Sequence, residues 1–283
     1  MTPELLGAGR LRALLASHGV RPTKSLGQNF VIDPNTIRKV VQVATIAPGD
    51  HVLEIGAGAG SLTLGLVAAG ARVTAVELDQ RLLPVLTEAV AGLDAVEIVE
   101  ADALRMDHGA FSATQLVGNL PYNIAATIVI KALQEAPHLR SLTVMTQREV
   151  GERLAASPGS KSYGQPSVIV GFFATARVAT RISRNAFYPV PNVDSVVVRI
   201  DRRAEVPDVD RRLFSEVVRH AFAQRRKTLR RSLASLLEGV EAEALFATAG
   251  VAPGARAEAI DVDGFVALTR AFQGAERAPS DPL

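Results

Sequence analysis

The sequence predicts an α/β fold: a mostly parallel sheet with helices on both faces, followed by a small all-α domain. Between residues 51 and 147, short apolar segments alternate with helix-length segments, as in doubly wound sheets. A polar, proline-containing stretch, RRAEVPDVDRR, separates this region from a C-terminal part whose apolar residues recur with helical spacing. Apolar residues make up 48% of the 283-residue chain, which is enough to bury a sizeable core.

Two helices are predicted before the sheet. Leucines recur near the 3.6-residue period across residues 3–18, and Gly19 ends that pattern. Asp33 followed by Pro34 is typical of a helix N-terminus. We therefore expect the second helix to begin there and to run to about Ile46.

Each strand of the predicted sheet is a short run of apolar and β-branched residues. Five strands are expected at 51–56, 72–79, 96–104, 115–120 and 141–147. Helices at 61–70, 81–92 and 124–134 are expected to connect them. Segments 176–183 and 195–202 are expected to add an edge, which can be antiparallel in a mixed sheet.

The polar stretch predicts a domain boundary near 203–208. The expected parts are a sheet domain with an N-terminal helical extension at 1–203, a helical domain at 208–275 and a flexible tail at 276–283. Helices of the second domain are expected at 208–223, 227–237, 241–249 and 264–273. The loop SPGSKSYGQP, which contains Lys161 and Tyr163, is expected to form a mobile lid over the substrate.

Composition excludes several classes of protein. The chain has no cysteine, so disulfides, cysteine-ligated zinc, iron–sulfur clusters and thiol nucleophiles are impossible. Its five histidines are scattered without the spacing of metal ligands, so no metal is expected. The sequence has no apolar run of about 18 residues and no typical signal peptide. We therefore expect a cytoplasmic protein without a membrane partner, and a monomer.

The sharpest local signal is a glycine-rich turn, Glu54-Ile-Gly56-Ala-Gly58-Ala-Gly60, at the end of the first predicted strand. Glycines let a backbone turn tightly and approach a ligand closely. The carboxyl edge of a doubly wound sheet is also where such folds bind ligands. Glu77 ends the second strand, at the spacing of a carboxylate that binds ribose hydroxyls, and Asp102 follows the third strand.

Three interpretations of this turn are open. A dinucleotide site would have the spacing G-x-G-x-x-G, whereas the third glycine falls one residue early here, and a pyrophosphate favours cationic surroundings. The three carboxylates, Glu54, Glu77 and Asp102, suit a nucleoside with cationic groups. S-adenosylmethionine carries both an ammonium and a sulfonium, and the sequence favours it as the ligand. A plain strand-to-helix turn without a ligand is the third interpretation.

The segment after the fourth strand, Asn119-Leu120-Pro121-Tyr122, lies at the same edge of the predicted sheet. Tetrapeptides of this type mark methyltransferases that act on exocyclic amines. An adenine amino group is a poor nucleophile because its lone pair is delocalised into the ring. The Asn119 side-chain carbonyl and the Leu120 backbone carbonyl would accept its two N–H bonds, and Tyr122 would stack on the base. Orientation toward the donor methyl would then supply most of the rate.

Two further segments flank the sheet: KSLGQNF at 24–30 and FYPVPNVDS at 187–195. In their order with the glycine turn and Asn-Leu-Pro-Tyr, they resemble the small-subunit rRNA adenine dimethyltransferases. That family methylates two adjacent adenines near the 3′ end of 16S rRNA, each twice. The resemblance covers about residues 20–200 and a C-terminal helical domain of matching length. It implies a Rossmann-like methyltransferase sheet, S-adenosylmethionine as cofactor, and 16S rRNA within the 30S subunit as partner.

The resemblance also implies how the donor is held. Asn29 and Val31 would flank its methionine end, where the family usually has Leu at the position of Val31. Gly56 would lie under the donor, Glu77 would hold its ribose, and Asp102 would pair with its adenine amino group. The predicted donor site comprises Gln28, Asn29, Val31, Gly56, Gly58, Glu77, Leu78, Asp102, Ala103 and Asn119.

By the same resemblance, Asn119 would hold the target amine. Tyr122 and Phe187 would lie on the two faces of the flipped base, which offsets the cost of taking a base out of its stack. A core aromatic is the alternative interpretation of Phe187. The predicted catalytic residues are Asn119, Leu120, Pro121, Tyr122 and Phe187.

A basic run, RHAFAQRRKTLRR at 219–231, contains six Arg or Lys residues and no acid. An ordinary solvated helix would carry balancing glutamates, so phosphate binding is favoured over a merely solubilising face. The net charge of the chain is only +2, because the acidic segment 51–120 lies between basic ones. The predicted RNA-binding residues are Lys24, Arg219, Arg225, Arg226, Lys227 and Arg230.

Two alternative functions accompany the main one. The related 23S rRNA adenine methyltransferases of macrolide resistance more often have Ile and Ser where this chain has Leu120 and Gly27, so the residues favour the small-subunit enzymes. A mainly non-catalytic factor in 30S assembly is the other alternative. The intact Asn119 and Tyr122 indicate catalysis without excluding that role in ribosome biogenesis.

Overall fold

The structure is a computed structural model that describes residues 3–23, 27–224 and 226–276. The predicted RNA contacts Lys24 and Arg225, and the tail beyond Glu276, lie outside this part of the chain. Within it, no helix combines the length and the apolar character needed to cross a membrane. No three His, Asp or Glu side chains of the same residues form a group that could hold a metal ion.

The chain forms two compact units, and their division differs from the prediction. The first unit comprises residues 1–155 and 174–202, and the second comprises residues 156–173 and 203–283. The main boundary therefore falls at Arg202, next to the expected 203–208 stretch. However, the predicted continuous domain 1–203 is interrupted, because 156–173 packs with the C-terminal helices.

Nine strands lie in the described part of the first unit. They are β1 (Phe30–Val31), β2 (His51–Ile55), β3 (Arg72–Glu77), β4 (Val96–Glu100), β5 (Gln115–Asn119), β6 (Ser141–Gln147), β7 (Ala174–Ile182), β8 (Phe187–Tyr188) and β9 (Ser195–Arg202). Seven of them form one sheet in the order β4-β3-β2-β5-β6-β9-β7. Strands β2 to β6 pair in parallel, whereas β9 pairs antiparallel with both β6 and β7. The predicted Rossmann-like, mostly parallel sheet with an antiparallel edge is confirmed.

A second, two-stranded sheet was not predicted. Strand β1 pairs antiparallel with β8, placing Phe30 opposite Tyr188 and Val31 opposite Phe187. Two-residue strands carry no alternation of apolar and polar residues, so the sequence pattern could not reveal them. This pairing joins the segment before the main sheet to the proline-rich segment after it.

The described helices are α1 (Ala8–Ser17), α2 (Pro34–Ala44), α3 (Ser61–Ala68), α4 (Leu83–Ala89), α5 (Ala125–Glu135), α6 (Arg148–Leu154), α7 (Gln165–Phe173), α8 (Arg211–Ala223), α9 (Leu229–Ser232), α10 (Ala242–Ala249) and α11 (Val262–Glu276). Helix α2 begins as predicted, with the Asp33 carboxylate accepting hydrogen bonds from the backbone N–H groups of Asn35 and Thr36. Helices α6 and α7 were not predicted. The helix predicted at 227–237 is instead the single turn α9 followed by a 3₁₀ turn at Ala234–Leu236.

The strand order places a ligand-binding crevice at the carboxyl end of β2. From β2 the chain crosses to β3 on one side of the sheet, and β5 pairs with β2 on the other side. At such a switch point the connections leave in opposite directions and open a crevice outside the strand ends. Gly56 follows β2, and Asn119 ends β5, the two strands that border it.

An aromatic cluster holds the second unit together and explains why 156–173 belongs to it. The Tyr163 ring lies 6.0 Å from the Phe222 ring, and its hydroxyl donates a hydrogen bond to the Ile260 carbonyl oxygen at 2.9 Å. The rings of Phe172 and Phe214 are 4.2 Å apart. Tyr163 is only 2% exposed, so the expectation that this loop presents it as a mobile lid is wrong. Its ring is a core residue of the helical unit.

Candidate active site

A cavity of about 600 Å³ lies at the carboxyl ends of β2, β3 and β5, and all its lining residues belong to the first unit. A ligand site of this size suits a small molecule such as a nucleoside derivative. All ten residues of the predicted donor site line it: Gln28, Asn29, Val31, Gly56, Gly58, Glu77, Leu78, Asp102, Ala103 and Asn119. Five separate segments of the chain therefore meet at one cavity.

The glycine turn forms the floor of this cavity. Gly56, Gly58 and Gly60 all have positive φ angles, of 74°, 59° and 86°, which side chains of other residues rarely adopt. A Cβ atom on Gly58 would lie 3.1 Å from the Phe30 ring. The turn therefore needs glycine both for its conformation and for the close approach of Phe30.

Glu77 has a structural task that the sequence did not reveal. Its carboxylate accepts three backbone hydrogen bonds of 2.8 Å, from the N–H groups of Gly58, Leu78 and Asp79. Burial raises the pKa of Glu77, and the three backbone bonds act against that rise. A carboxylate offers about four lone-pair directions, so it can hold these turns together and still accept a bond from a ribose hydroxyl.

Glu54 lies beside this group and was not included in the predicted donor site. It lines the cavity, is 1% exposed, and neither carboxylate oxygen has a hydrogen-bond partner among the described residues. Burial, together with the negative charge of Glu77, raises the pKa of Glu54 to about 8. A buried carboxyl without partners is costly, and a cationic group would satisfy it. Its position at the start of the glycine-rich turn was the sequence feature that could have placed Glu54 in the predicted site.

The predicted adenine end of the site is built by the turn after β4. Asp102 uses one carboxylate oxygen to accept a hydrogen bond from the Leu104 backbone N–H at 2.9 Å. The buried ring of His108 donates through Nε2 to the Ala103 carbonyl oxygen at 2.8 Å, which fixes this turn from behind. Leu78, across the cavity edge, has a side chain that is 56% exposed. An apolar surface therefore lies beside a carboxylate, as a purine with an exocyclic amine requires.

Asn119 lies where the cavity meets the Asn-Leu-Pro-Tyr segment. Its Nδ2 donates to the Asn29 carbonyl oxygen at 2.8 Å, which leaves Oδ1 as the acceptor toward the cavity. Leu120 is 1% exposed, and its backbone N–H donates to the Met145 carbonyl oxygen at 2.9 Å. Pro121 lines the cavity, whereas Leu120 does not. The hydrogen bond to Asn29 thus fixes the orientation of the Asn119 amide.

The two residues predicted to stack on the base, Tyr122 and Phe187, differ in how deeply they are buried. Tyr122 is half-buried outside the cavity lining, and its hydroxyl lies 3.4 Å from Ser195 Oγ. Phe187 is completely buried in the core cluster that also contains Phe30 and Met145. The expectation that Phe187 presents its ring to a base is therefore contradicted here. The alternative interpretation of Phe187 as a core aromatic is the one observed.

The described residues of the basic run are only partly free to bind phosphate. Arg230 forms an ion pair with Glu243 of α10, so an acid absent from the run itself comes from a neighbouring helix. The Arg219 guanidinium hydrogen-bonds the ring of its neighbour His220 at 2.8 Å. Arg226 and Lys227 are both exposed at the turn between α8 and α9. Among the described residues of the basic run, these two are the best candidates for contact with RNA phosphate.

A glycine floor lined by the carboxyl groups of Glu54, Glu77 and Asp102, on a sheet of this strand order, defines a Rossmann-like methyltransferase. Comparison with known proteins places the chain more narrowly. The sequence model described as "Ribosomal RNA adenine dimethylase" matches residues 20–273. The chain belongs to the ribosomal RNA adenine dimethylase family.

Curated relatives and solved structures agree with this assignment. The chain is 47% identical over 274 residues to the ribosomal RNA small subunit methyltransferase A of Leifsonia xyli, covering 94% of this chain and 98% of the relative. It is 46% identical over 277 residues to the protein of the same name from Streptomyces coelicolor, covering 94% and 97%. Among solved structures, it is similar to the 23S rRNA methyltransferase ErmE, with a TM-score of 0.67, 29% identity and coverage of 87% and 100%. A dimethyladenosine transferase from Plasmodium falciparum has the same fold, with a TM-score of 0.74, 24% identity and coverage of 87% and 98%.

Glu54 generates a prediction about stability and pH. Its folded-state pKa of about 8 lies above the ordinary 4.5, so the fold favours the protonated form. The resulting stabilisation is complete below pH 4.5 and is lost as pH rises through 8, by roughly 5 kcal/mol in all. For donor-free protein, Glu54→Gln should remove this fall in the free energy of unfolding between pH 5 and 8. Urea unfolding at several pH values measures it, with the exposed Glu205→Gln as matched control. An unchanged pH dependence in Glu54→Gln would contradict the assignment.

Proposed function

We propose that this protein transfers methyl groups from S-adenosylmethionine to the N6 amino groups of two adjacent adenines in the 3′-terminal hairpin loop of 16S rRNA. The observation that carries the proposal is the Asn119 amide, which is anchored to the Asn29 carbonyl oxygen and lines the cavity. Each adenine would be methylated twice, on the 30S subunit during ribosome biogenesis. Family membership and the names of the relatives support this substrate class.

The residues present fit S-adenosylmethionine as the donor. The buried, unpartnered carboxyl of Glu54 suits a cationic group, and the glycine floor brings backbone close to a ligand. Glu77 would hold the ribose, Asp102 the adenine amino group, and Leu78 would cover one face of the adenine. When bound, the donor supplies an electrophilic methyl group attached to sulfonium.

Catalysis by the protein would consist mainly of orientation. Asn119 Oδ1 and the Leu120 carbonyl oxygen would accept the two N–H bonds of the target adenine and leave its lone pair directed at the methyl group. Tyr122, whose hydroxyl is held near Ser195, would stack on the flipped base. No strong base is needed, because the nitrogen becomes acidic once it is methylated. Since Phe187 is buried, the second face of the base would be covered by another group.

The alternatives are separated by substrate. A 23S rRNA enzyme would methylate 50S particles or naked 23S rRNA, and a non-catalytic assembly factor would bind immature 30S particles without turnover. The decisive experiment offers labelled donor to purified 30S particles that lack the modification, to 50S particles and to naked rRNA. Transfer to the 30S particles alone supports the proposal, and transfer only to 50S particles or naked 23S rRNA refutes it. We also propose that the protein acts as a monomer in the cytoplasm, where its ribosomal substrate lies.

The exposed side chain of Leu78 tests the position of the donor. Leu78→Ala should weaken donor binding about tenfold, because an apolar contact with the adenine is lost. Its 56% exposure makes a large effect on folding unexpected. Val178→Ala on the far edge strand β7 is the matched control and should leave affinity unchanged. Calorimetric titration gives the affinities, and equal values for Leu78→Ala and the parent would place the donor elsewhere.

Asn119 should matter more for turnover than for binding. Asn119→Ala is expected to lower the single-turnover rate on 30S particles by about 100-fold, because misorientation of the amine costs rate in the transition state. Binding to 30S particles should stay within a few fold of the parent. Rapid-quench measurement of methyl transfer checks the rate. A near-normal rate in the folded variant would exclude Asn119 from the reaction.

The basic turn after α8 should supply RNA affinity. Replacing Arg226 and Lys227 with Gln removes up to two phosphate contacts and should make the dependence of log affinity on log salt shallower by about 1.4–1.8. Arg230→Gln should change it less, because Glu243 already neutralises that guanidinium. Binding to 30S particles across a salt series measures these slopes. Equal salt dependence for the double variant and the parent would show that Arg226 and Lys227 do not contact phosphate.

A further inference from the structure

A closed network of four polar side chains borders the donor cavity. Its members are Thr23, Gln28, Asp79 and Arg81, referred to below as the Asp79 network. Gln28 uses both ends of its amide within the protein: Oε1 accepts from the Thr23 backbone N–H at 2.8 Å, and Nε2 donates to Asp79 Oδ2 at 2.7 Å. Gln28, Asp79 and Arg81 all line the cavity. The predicted donor residue Gln28 is thus held by protein groups on both sides.

Asp79 is the centre of this network. Its carboxylate accepts hydrogen bonds from the Arg81 backbone N–H at 3.0 Å, from Nε at 2.9 Å and from a terminal guanidinium nitrogen at 2.6 Å. Those hydrogen bonds lower the pKa of Asp79 to about 2, so the carboxylate is charged at neutral pH. The same guanidinium nitrogen reaches Thr23 Oγ1 at 3.0 Å and closes the network.

The network anchors one end of a cavity wall. Residues 27–31, the wall segment, all line the cavity. Toward β5, the segment is fixed by the bond from Asn119 Nδ2 to the Asn29 carbonyl oxygen and by close packing of Gly27 on Pro121. Toward β3, it is fixed by the bond between Gln28 and Asp79, which are 51 residues apart in the chain.

The geometry of these bonds separates two tasks of Asp79. Its bond to the Arg81 backbone N–H closes the local turn after β3, as Asp commonly does. The bond to Gln28 adds nothing to that turn and serves only the wall segment. The guanidinium of Arg81, half-exposed in its own right, keeps the carboxylate aimed at Gln28 while reaching Thr23.

We propose that Asp79 and Arg81 are positioning residues for the methyl donor: through Gln28 they hold the wall segment against the turn after β3 and so set how long the donor stays in the cavity. This inference rests on the proposed position of the donor. Loosening the network should therefore weaken donor binding, because the wall segment would no longer be held beside the donor.

The test exploits the nearly isosteric pair of Gln28 and Asp79. Gln28→Glu places two carboxylates together and breaks the bond. Asp79→Asn replaces the charged acceptor with a neutral amide oxygen, which weakens the bond. The double variant, Gln28→Glu with Asp79→Asn, restores a charged acceptor facing an amide donor at the same net charge. Donor affinity is measured by calorimetry and donor dissociation by stopped flow.

Each single variant is expected to weaken donor binding about tenfold through faster dissociation. The double variant should recover affinity to within about threefold, a rescue that a loss of general stability would not produce. Two outcomes overturn the proposal: single variants that bind the donor like the parent while Leu78→Ala binds it weakly, or a double variant no better than the singles. If Leu78→Ala also binds normally, the proposed donor position fails as well.

Discussion

The carboxylate of Glu77 is the interaction on which the site depends. It is the shared acceptor for backbone N–H groups from two different turns, one in the glycine floor and one after β3. The floor has little hydrophobic surface of its own with which to choose a conformation, because three of its residues are glycines. A buried ionisable group with three directed bonds supplies that choice. The turn after β3 also contains Leu78, the proposed apolar contact of the donor adenine, and Asp79, which anchors the wall segment. Glu77 therefore helps to position both residues.

The electrostatics of the cavity follow from where its acids are placed. Glu54 and Glu77 are both buried near the same turn, and burial raises the pKa of each. Three backbone hydrogen bonds act to stabilise the charge of Glu77, whereas no hydrogen bond of normal geometry reaches the Glu54 carboxyl from the described residues. Two neighbouring acids under such different constraints make an uncharged ligand a poor match. Burying these two carboxyl groups without an opposite charge lowers the stability of the ligand-free protein, and a cationic ligand would relieve that loss. Preorganised binding sites commonly give up some stability of the free protein in this way.

Much of this architecture could be predicted, because its signals are local and periodic. The alternation of strands and helices predicted the sheet, and the glycine turn, Glu77, Asp102 and Asn119 each end or follow a strand at the same edge. The predictions that failed concern residues whose environment is set by partners far away in the sequence. Phe187 lies in a motif that suggests contact with a base, yet its ring is completely buried among core residues from distant parts of the chain, including Phe30 and Met145. Glu243 neutralises Arg230 from another helix, and no count of charges within the basic run could have shown that.

The small sheet of β1 and β8 has a consequence for the order in which the protein is made. Its two strands are more than 150 residues apart along the chain, and β1 contributes Phe30 and Val31 to the cavity. A nascent chain cannot complete this wall until β8 has left the exit tunnel, after every strand of the parallel sheet has been synthesised. Closing so long a loop is slow and entropically costly, and it pays only once the partner strands exist. The donor site is therefore among the last parts of the first unit to be completed during synthesis.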